Sequence, residues 1–238
     1  MAGHSKWAQI RHRKATVDQK RGQLFSKLVR EIMVAVREKG VNPDTNLRLR
    51  SSIERARDEG LPKDNIERAI KRAAGGEEDH TLQEFLYEAS APGGVGLLIE
   101  GITDNTNRAL AELRSVLTKH RGKFGDPGSI RWQFEKRGII IFSPPKENPD
   151  AFALLLIEQN ILDLIQEPDT WKLETCFEDT ERVRFFLQEQ GISLTRITHT
   201  YHPIHPISLS HAQMEHTQTL IEELDMHHDV QAVYANFG

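Results

Sequence analysis

Leu24, Leu28, Ile32 and Val36 recur every four residues, with Phe25, Val29 and Met33 beside them. That spacing gathers into one apolar stripe on a helix and scatters over both faces of a strand. It predicts a helix from about Asp18, ended at Gly40 by a left-handed cap. A helix with one apolar stripe needs partners, and the next two segments supply them. A second helix follows Asn42-Pro43-Asp44 and closes at Gly60, with Leu47, Ile53 and Ala56 inward and Arg48, Arg50, Arg55 and Arg57 outward. A third begins at Asp64, where Glu67 three residues on completes a capping-box pattern. Ile66, Ala69, Ile70 and Ala73 form its buried face, and Gly75-Gly76 ends it.

Beyond Glu77 the period alternates between strand and helix. Residues 83–90 and 95–102 read as a hairpin around Ala91-Pro92-Gly93-Gly94, and 105–120 as a helix with Leu110, Leu113 and Leu117 inward. Ile130–Phe134 alternates like a strand and Ile139–Phe142 is a short buried one; Ser143-Pro144-Pro145 breaks the pattern. The expectations continue with a helix over 149–165, a strand over 171–177, a helix over 179–190 and a strand over 194–202. Ser210 and Gln213 open a helix to about Asp225, and a last strand covers 229–237. Strands mixed with helices after an all-helical start predict an α+β multidomain protein with an N-terminal helical bundle.

Charge divides the chain at the same place. Residues 1–76 hold 18 Lys and Arg against 9 Asp and Glu, while the whole chain has a net charge of −4, so the remainder is strongly acidic at −13. Residues 1–30 carry eight Lys and Arg and a single acid, Asp18. A basic segment on an acidic body implies a polyanionic partner for that segment. Residues 1–17 show no apolar stripe and read as an arm ordered by its partner. The single cysteine, Cys176, reads as a small core residue and excludes an intramolecular disulfide. No apolar run reaches the roughly 18–20 residues of a membrane helix, and the first residues have no signal-peptide core, so a cytoplasmic location with no membrane partner is expected.

Several segments carry a family resemblance. Met1–Trp7 followed by Arg11–Lys14, Asn46–Arg50, Leu61–Ile70, Pro92–Val95, Thr103–Arg108, Gly128-Ser129 and Val230–Tyr234 resemble the YebC/PmpR family, in order along the whole chain. Thr106 stands where the family more often has a basic residue. The resemblance implies a helical domain over 1–77 and an α+β domain over 78–137 plus 205–238. A second α+β domain, 138–204, is inserted in the first. It also implies a non-enzymatic, DNA-binding transcriptional regulator. Relatives that include the mitochondrial translational activator of cytochrome c oxidase imply the alternative, a ribosome-associated factor that binds ribosomal RNA and helps translation of difficult stretches such as proline runs.

The residues themselves point to nucleic acid. Lys and Arg neutralise phosphates and release counterions, and Lys6, Arg11, Arg13 and Lys14 are close enough to follow one backbone. Trp7 is suited either to stacking on an unpaired base or to packing on the bundle. His4 and His12 are possible phosphate donors, and Lys20, Arg21, Lys27 and Arg30 continue the basic face along the first helix. The arginines of the second helix are expected to pair partly with Glu54, Asp58 or Glu59. No helix-turn-helix spacing or zinc-finger pattern is present, which favours backbone or shape recognition over base reading. Pro92–Gly96 lacks the Gly-Lys-Ser/Thr ending of a phosphate loop and reads as a hairpin turn. His199, His202, His205 and His211 lie close in sequence, but a spacing of three on a strand points neighbours to opposite faces, so no metal, cofactor or catalytic site is expected from them. A monomer is the expected state.

Overall fold

The computed structural model describes residues 3–75 and 82–237, with side chains from residue 20 onward. Helix α1 runs Gly3–Lys39, α2 Leu47–Asp58 and α3 Lys63–Gly75. The expected non-helical arm ahead of Asp18 is therefore corrected: the backbone is helical from Gly3. No proline falls between Gly3 and Lys39, and Ala, Gln, Lys and Arg are good helix formers even without an apolar stripe. The predicted stripe does form the core of the bundle. Leu28, Ile32, Met33 and Val36 are buried against Leu49 and Ile53 of α2 and Ile66 and Ala69 of α3. A fully buried side chain of this size contributes about 1.5–3 kcal/mol.

Two glycines and an asparagine set the turn between α1 and α2 and the exit from α2. Gly40 has φ 85° and Gly60 has φ 76°, left-handed values that cost other residues energy. Asn46 is fully buried at the N-cap of α2, where its side-chain oxygen accepts from the Leu49 N–H at 3.0 Å. Its amide donates to the Ala35 and Gly40 carbonyls at 2.7 and 2.8 Å. One side chain thus satisfies the end of α1 and the start of α2. The capping box expected at α3 is absent: the helix starts one residue early, after Pro62, and Asp64 lies within its first turn.

Strands β1 (Gln83–Ala91) and β2 (Val95–Thr103) form the predicted hairpin. Helix α4 (Thr106–Lys119) follows, capped by Asn105, whose side chain accepts from the Arg108 N–H. After β3 (Lys123–Phe124) the chain enters β4 (Phe134–Phe142), α5 (Pro149–Ile157), β5 (Asp163–Gln166), β6 (Trp171–Cys176), α6 (Thr180–Glu189) and β7 (Leu194–Pro203). Helix α7 (His211–Asp225) opens with the predicted Ser210–Gln213 capping box, and β8 (Val230–Ala235) ends the described fold.

The strands make two antiparallel sheets, ordered β3-β1-β2-β8 and β5-β6-β4-β7. The second sheet is threaded between β3 and β8 of the first, so the last strand returns to pair with β2. Helices α4 and α7 cover the first sheet, with Leu113, Leu117, Leu220 and Leu224 against Leu97 and Ile99. Helices α5 and α6 cover the second, with Leu156, Val183 and Leu187 against Ile140, Phe142 and Leu173. A small fourth core of Leu98, Phe134 and Tyr201 joins the sheets.

Two expectations differ in this region. The helix predicted over 149–165 stops at Ile157, because a turn with Asn160 at φ 57° sends the chain into edge strand β5. Residues 131–133 form a 3-10 turn, not a strand, for a reason that lies in Glu88 (below). No helix among the described residues is long and apolar enough to cross a membrane.

Candidate nucleic-acid interface

Lys6, Trp7, Arg11, His12, Arg13 and Lys14 have side chains outside the described residues, although the α1 backbone passes through them. Lys20 and Arg21 are exposed. Arg21 lies over the Phe25 ring, 5.2 Å from its centre, which leaves the guanidinium edge open to an anion.

Lys27 and Arg30 face elsewhere. Lys27 is buried, and its Nζ sits 2.7 Å from Asp225 at the end of α7. Arg30 contacts the His228 carbonyl and lies 3.0 Å from Asp229. Gln23, on the same face, donates to the Met226 carbonyl at 2.9 Å. Residues 23, 27 and 30 fall on one side of a helix, and that side docks α1 onto the corner between α7 and β8. Lys27 and Arg30, expected to contact phosphate, are thus paired with acids of the same chain in this fold.

Asp229 is the centre of this docking. It is fully buried and accepts from the Thr103 hydroxyl and from Arg108, each at 3.0 Å. Arg108 also binds Asp104 at 2.6 Å. Burial opposes the charge of Asp104, but the Arg108 guanidinium outweighs it and holds that carboxyl below its ordinary range. The Thr103–Arg108 segment, singled out by resemblance alone, is therefore a knot tying β2 and α4 to the start of β8 and, through Asp229, to α1. Asp225 and Asp229 gave no signal in sequence, since an acid between helix and strand carries no periodicity.

The arginines of α2 are also largely engaged, with partners other than those expected. Arg48 binds Glu38 at 2.9 Å and also Glu84, Arg50 binds Asp44 at 2.9 Å, and Arg55 binds Glu31 at 3.0 Å. Asp58 pairs instead with Arg196 of β7 at 3.2 Å, and the Ile197 N–H donates to Ser51 at 3.4 Å, so α2 is seated on the second sheet. Arg57 is exposed and makes no ion pair among the described residues.

The histidines are dispersed. His199 sits 2.8 Å from Glu100, which also accepts from Tyr234 at 3.1 Å. Burial works against the Glu100 charge, yet His199 and Tyr234 outweigh it and hold the carboxyl low; burial and Glu100 together push the Tyr234 hydroxyl up. His202, His205 and His211 are exposed and do not join His199. Glu112, His227 and His228 bring ligand-type atoms within 4.8 Å. Both ring nitrogens of His227 are occupied, however, by Glu112 at 2.8 Å and by the Asp229 N–H at 3.2 Å.

Residues 5–76 match the TACO1/YebC protein N-terminal domain, and residues 82–237 match the TACO1/YebC second and third domain. The chain belongs to the TACO1/YebC family. Its similarity to curated members runs end to end. A "probable transcriptional regulatory protein" of Kosmotoga olearia is 43% identical, over 100% of this chain and 94% of the relative. One of Dictyoglomus turgidum is 42% identical, over 100% and 96%. A crystal structure of a conserved hypothetical protein from Aquifex aeolicus matches with a TM-score of 0.76 at 37% identity, covering 94% of this chain and 93% of that one. The family's fold, N-terminal helices followed by α+β domains, is the one described above.

Proposed function

We propose that this protein is a non-enzymatic, DNA-binding regulator of transcription, acting as a cytoplasmic monomer through the first half of α1. The names of its relatives support a regulatory role. The observation that carries nucleic-acid binding is the split of charge, +9 over residues 1–76 against −13 beyond, together with the way α1 divides its cations. Lys27 and Arg30 are consumed by Asp225 and Asp229, whereas Lys20 and Arg21 stay exposed. The binding residues in this reading are Lys6, Trp7, Arg11, His12, Arg13, Lys14, Lys20 and Arg21. They track phosphates and release counterions. The domains in this reading are 1–77, 78–137 with 205–238, and the insert 138–204.

Co-sedimentation with purified ribosomes, with excess duplex DNA as competitor, tests the proposal. Displacement by DNA is the expected result. Retention on the ribosome despite the DNA, lost on replacing Arg11, Arg13 and Lys14 by Glu, would replace it with a translation role through ribosomal RNA.

A further inference from the structure

The acidic body contains one basic stretch of its own. Residues 114–137 carry seven Lys and Arg against Asp126 and Glu135, inside a segment whose overall balance is strongly negative. Arg121, Lys123 and Arg131 are exposed there and make no ion pair among the described residues. Trp132 stands within this stretch, on the 3-10 turn, with 67% of its surface in water. An indole of this size left exposed forgoes burial that the nearby core of Leu98, Phe134 and Tyr201 offers.

The exposure is built. Glu88, on β1, accepts three backbone N–H groups: Gly128 at 2.6 Å, Ile130 at 2.6 Å and Arg131 at 2.8 Å. Burial opposes its charge, but these donors and Arg131 hold the carboxyl below its usual range, so it is anionic at neutral pH. Gly128 supplies the left-handed turn at φ 86°. The far side is fixed as well, since the Gln133 carbonyl accepts from the Ile204 N–H and its side chain meets Asn236 at 2.6 Å. The indole is then oriented by its own N–H, which donates to the Ser129 carbonyl at 2.8 Å and leaves the ring faces free of that bond.

We infer that Trp132 is a stacking platform for an unpaired nucleobase, with Arg131 beside it on the backbone phosphate. The inference rests on the nucleic-acid reading above and deepens it by adding a second contact, distant in sequence from α1, that selects unpaired strands. A flat, oriented aromatic with an exposed arginine next to it is what single-strand recognition requires, because every base offers a π-face and every linkage a charge. A duplex keeps its base faces stacked internally and gains nothing from the indole.

Fluorescence anisotropy with labelled single-stranded DNA and RNA of one mixed sequence, and with the blunt duplex, tests this on the full chain. Trp132→Ala is expected to weaken single-strand binding on the order of 5- to 150-fold, to leave the duplex unchanged, and to keep the thermal transition. Trp132→Phe retains most of the affinity. Unchanged single-strand affinity in Trp132→Ala overturns the inference and leaves the nucleic-acid reading standing. Equal loss on single strand and duplex overturns it too. Failure of the unaltered protein to bind any of the three removes the underlying reading itself.

Discussion

Arg30, on the first helix, and Asp229, just ahead of the last strand, lie 3.0 Å apart, and the carboxylate is wholly withdrawn from water. A buried anion of this kind is tolerated because Arg30, Arg108 and Thr103 converge on it.

Removing that anion strands Arg30 and leaves Arg108 with Asp104 alone. Asp229→Ala is expected to cost about 3–5 kcal/mol, toward the lower end because both arginines keep some contact with water. Urea denaturation followed by far-UV circular dichroism measures it, and a cost below about 1 kcal/mol would show that the cluster is not a structural centre.

The neighbouring pair behaves differently. Lys27 is buried, but Asp225 is half exposed and stays hydrated on its own. A double-mutant cycle of Lys27→Met and Asp225→Asn is expected to give a coupling of about 0–1 kcal/mol that shrinks with salt.

Glu88 sets a pH dependence. Its folded carboxyl titrates below its unfolded value, so its contribution to stability is complete above the unfolded value and is lost as pH falls through the folded one. Glu88→Gln is expected to cost about 1–3 kcal/mol at neutral pH and to flatten this part of the acid limb. Denaturant midpoints across an acid pH series distinguish the two proteins; parallel curves would deny Glu88 this role.

Two glycines make opposite predictions. A Cβ at Gly101 would collide with the Phe85 ring and with the Asp229 carbonyl, a backbone atom that cannot swing aside. Gly101→Ala is expected to destabilise by about 1–3 kcal/mol. Gly22 lies within α1 with nothing near its missing Cβ, and Gly22→Ala is expected to stabilise by about 0.5–1 kcal/mol. Calorimetric melting of both variants checks the pair.

What could be read from sequence follows from the range of each interaction. The stripe Leu24–Val36, the β1–β2 hairpin and the Ser210 cap are local patterns, and the structure has all three. Residues 131–133 turn instead of extending because the Ile130 and Arg131 N–H groups bond to Glu88, some forty positions earlier, which no periodicity reveals. The helical start of α1 was missed because propensity without amphipathicity leaves no pattern. The same limit governs the site. Charge counting located the basic first third of the chain, but telling exposed Lys20 and Arg21 from engaged Lys27 and Arg30 required knowing that Asp225 and Asp229 return to α1.

That return also has a timing. Lys27 precedes Asp225 by 198 positions, and at about 5–20 residues per second of synthesis the acid follows the base by on the order of 10–40 s. Throughout that interval Lys27 and Arg30 lack the acids that match them in the finished fold. The emergence of β8 therefore does more than finish a sheet: it withdraws Lys27 and Arg30 from competition, and gives the newborn protein a basic surface narrower than the one it carried while being made.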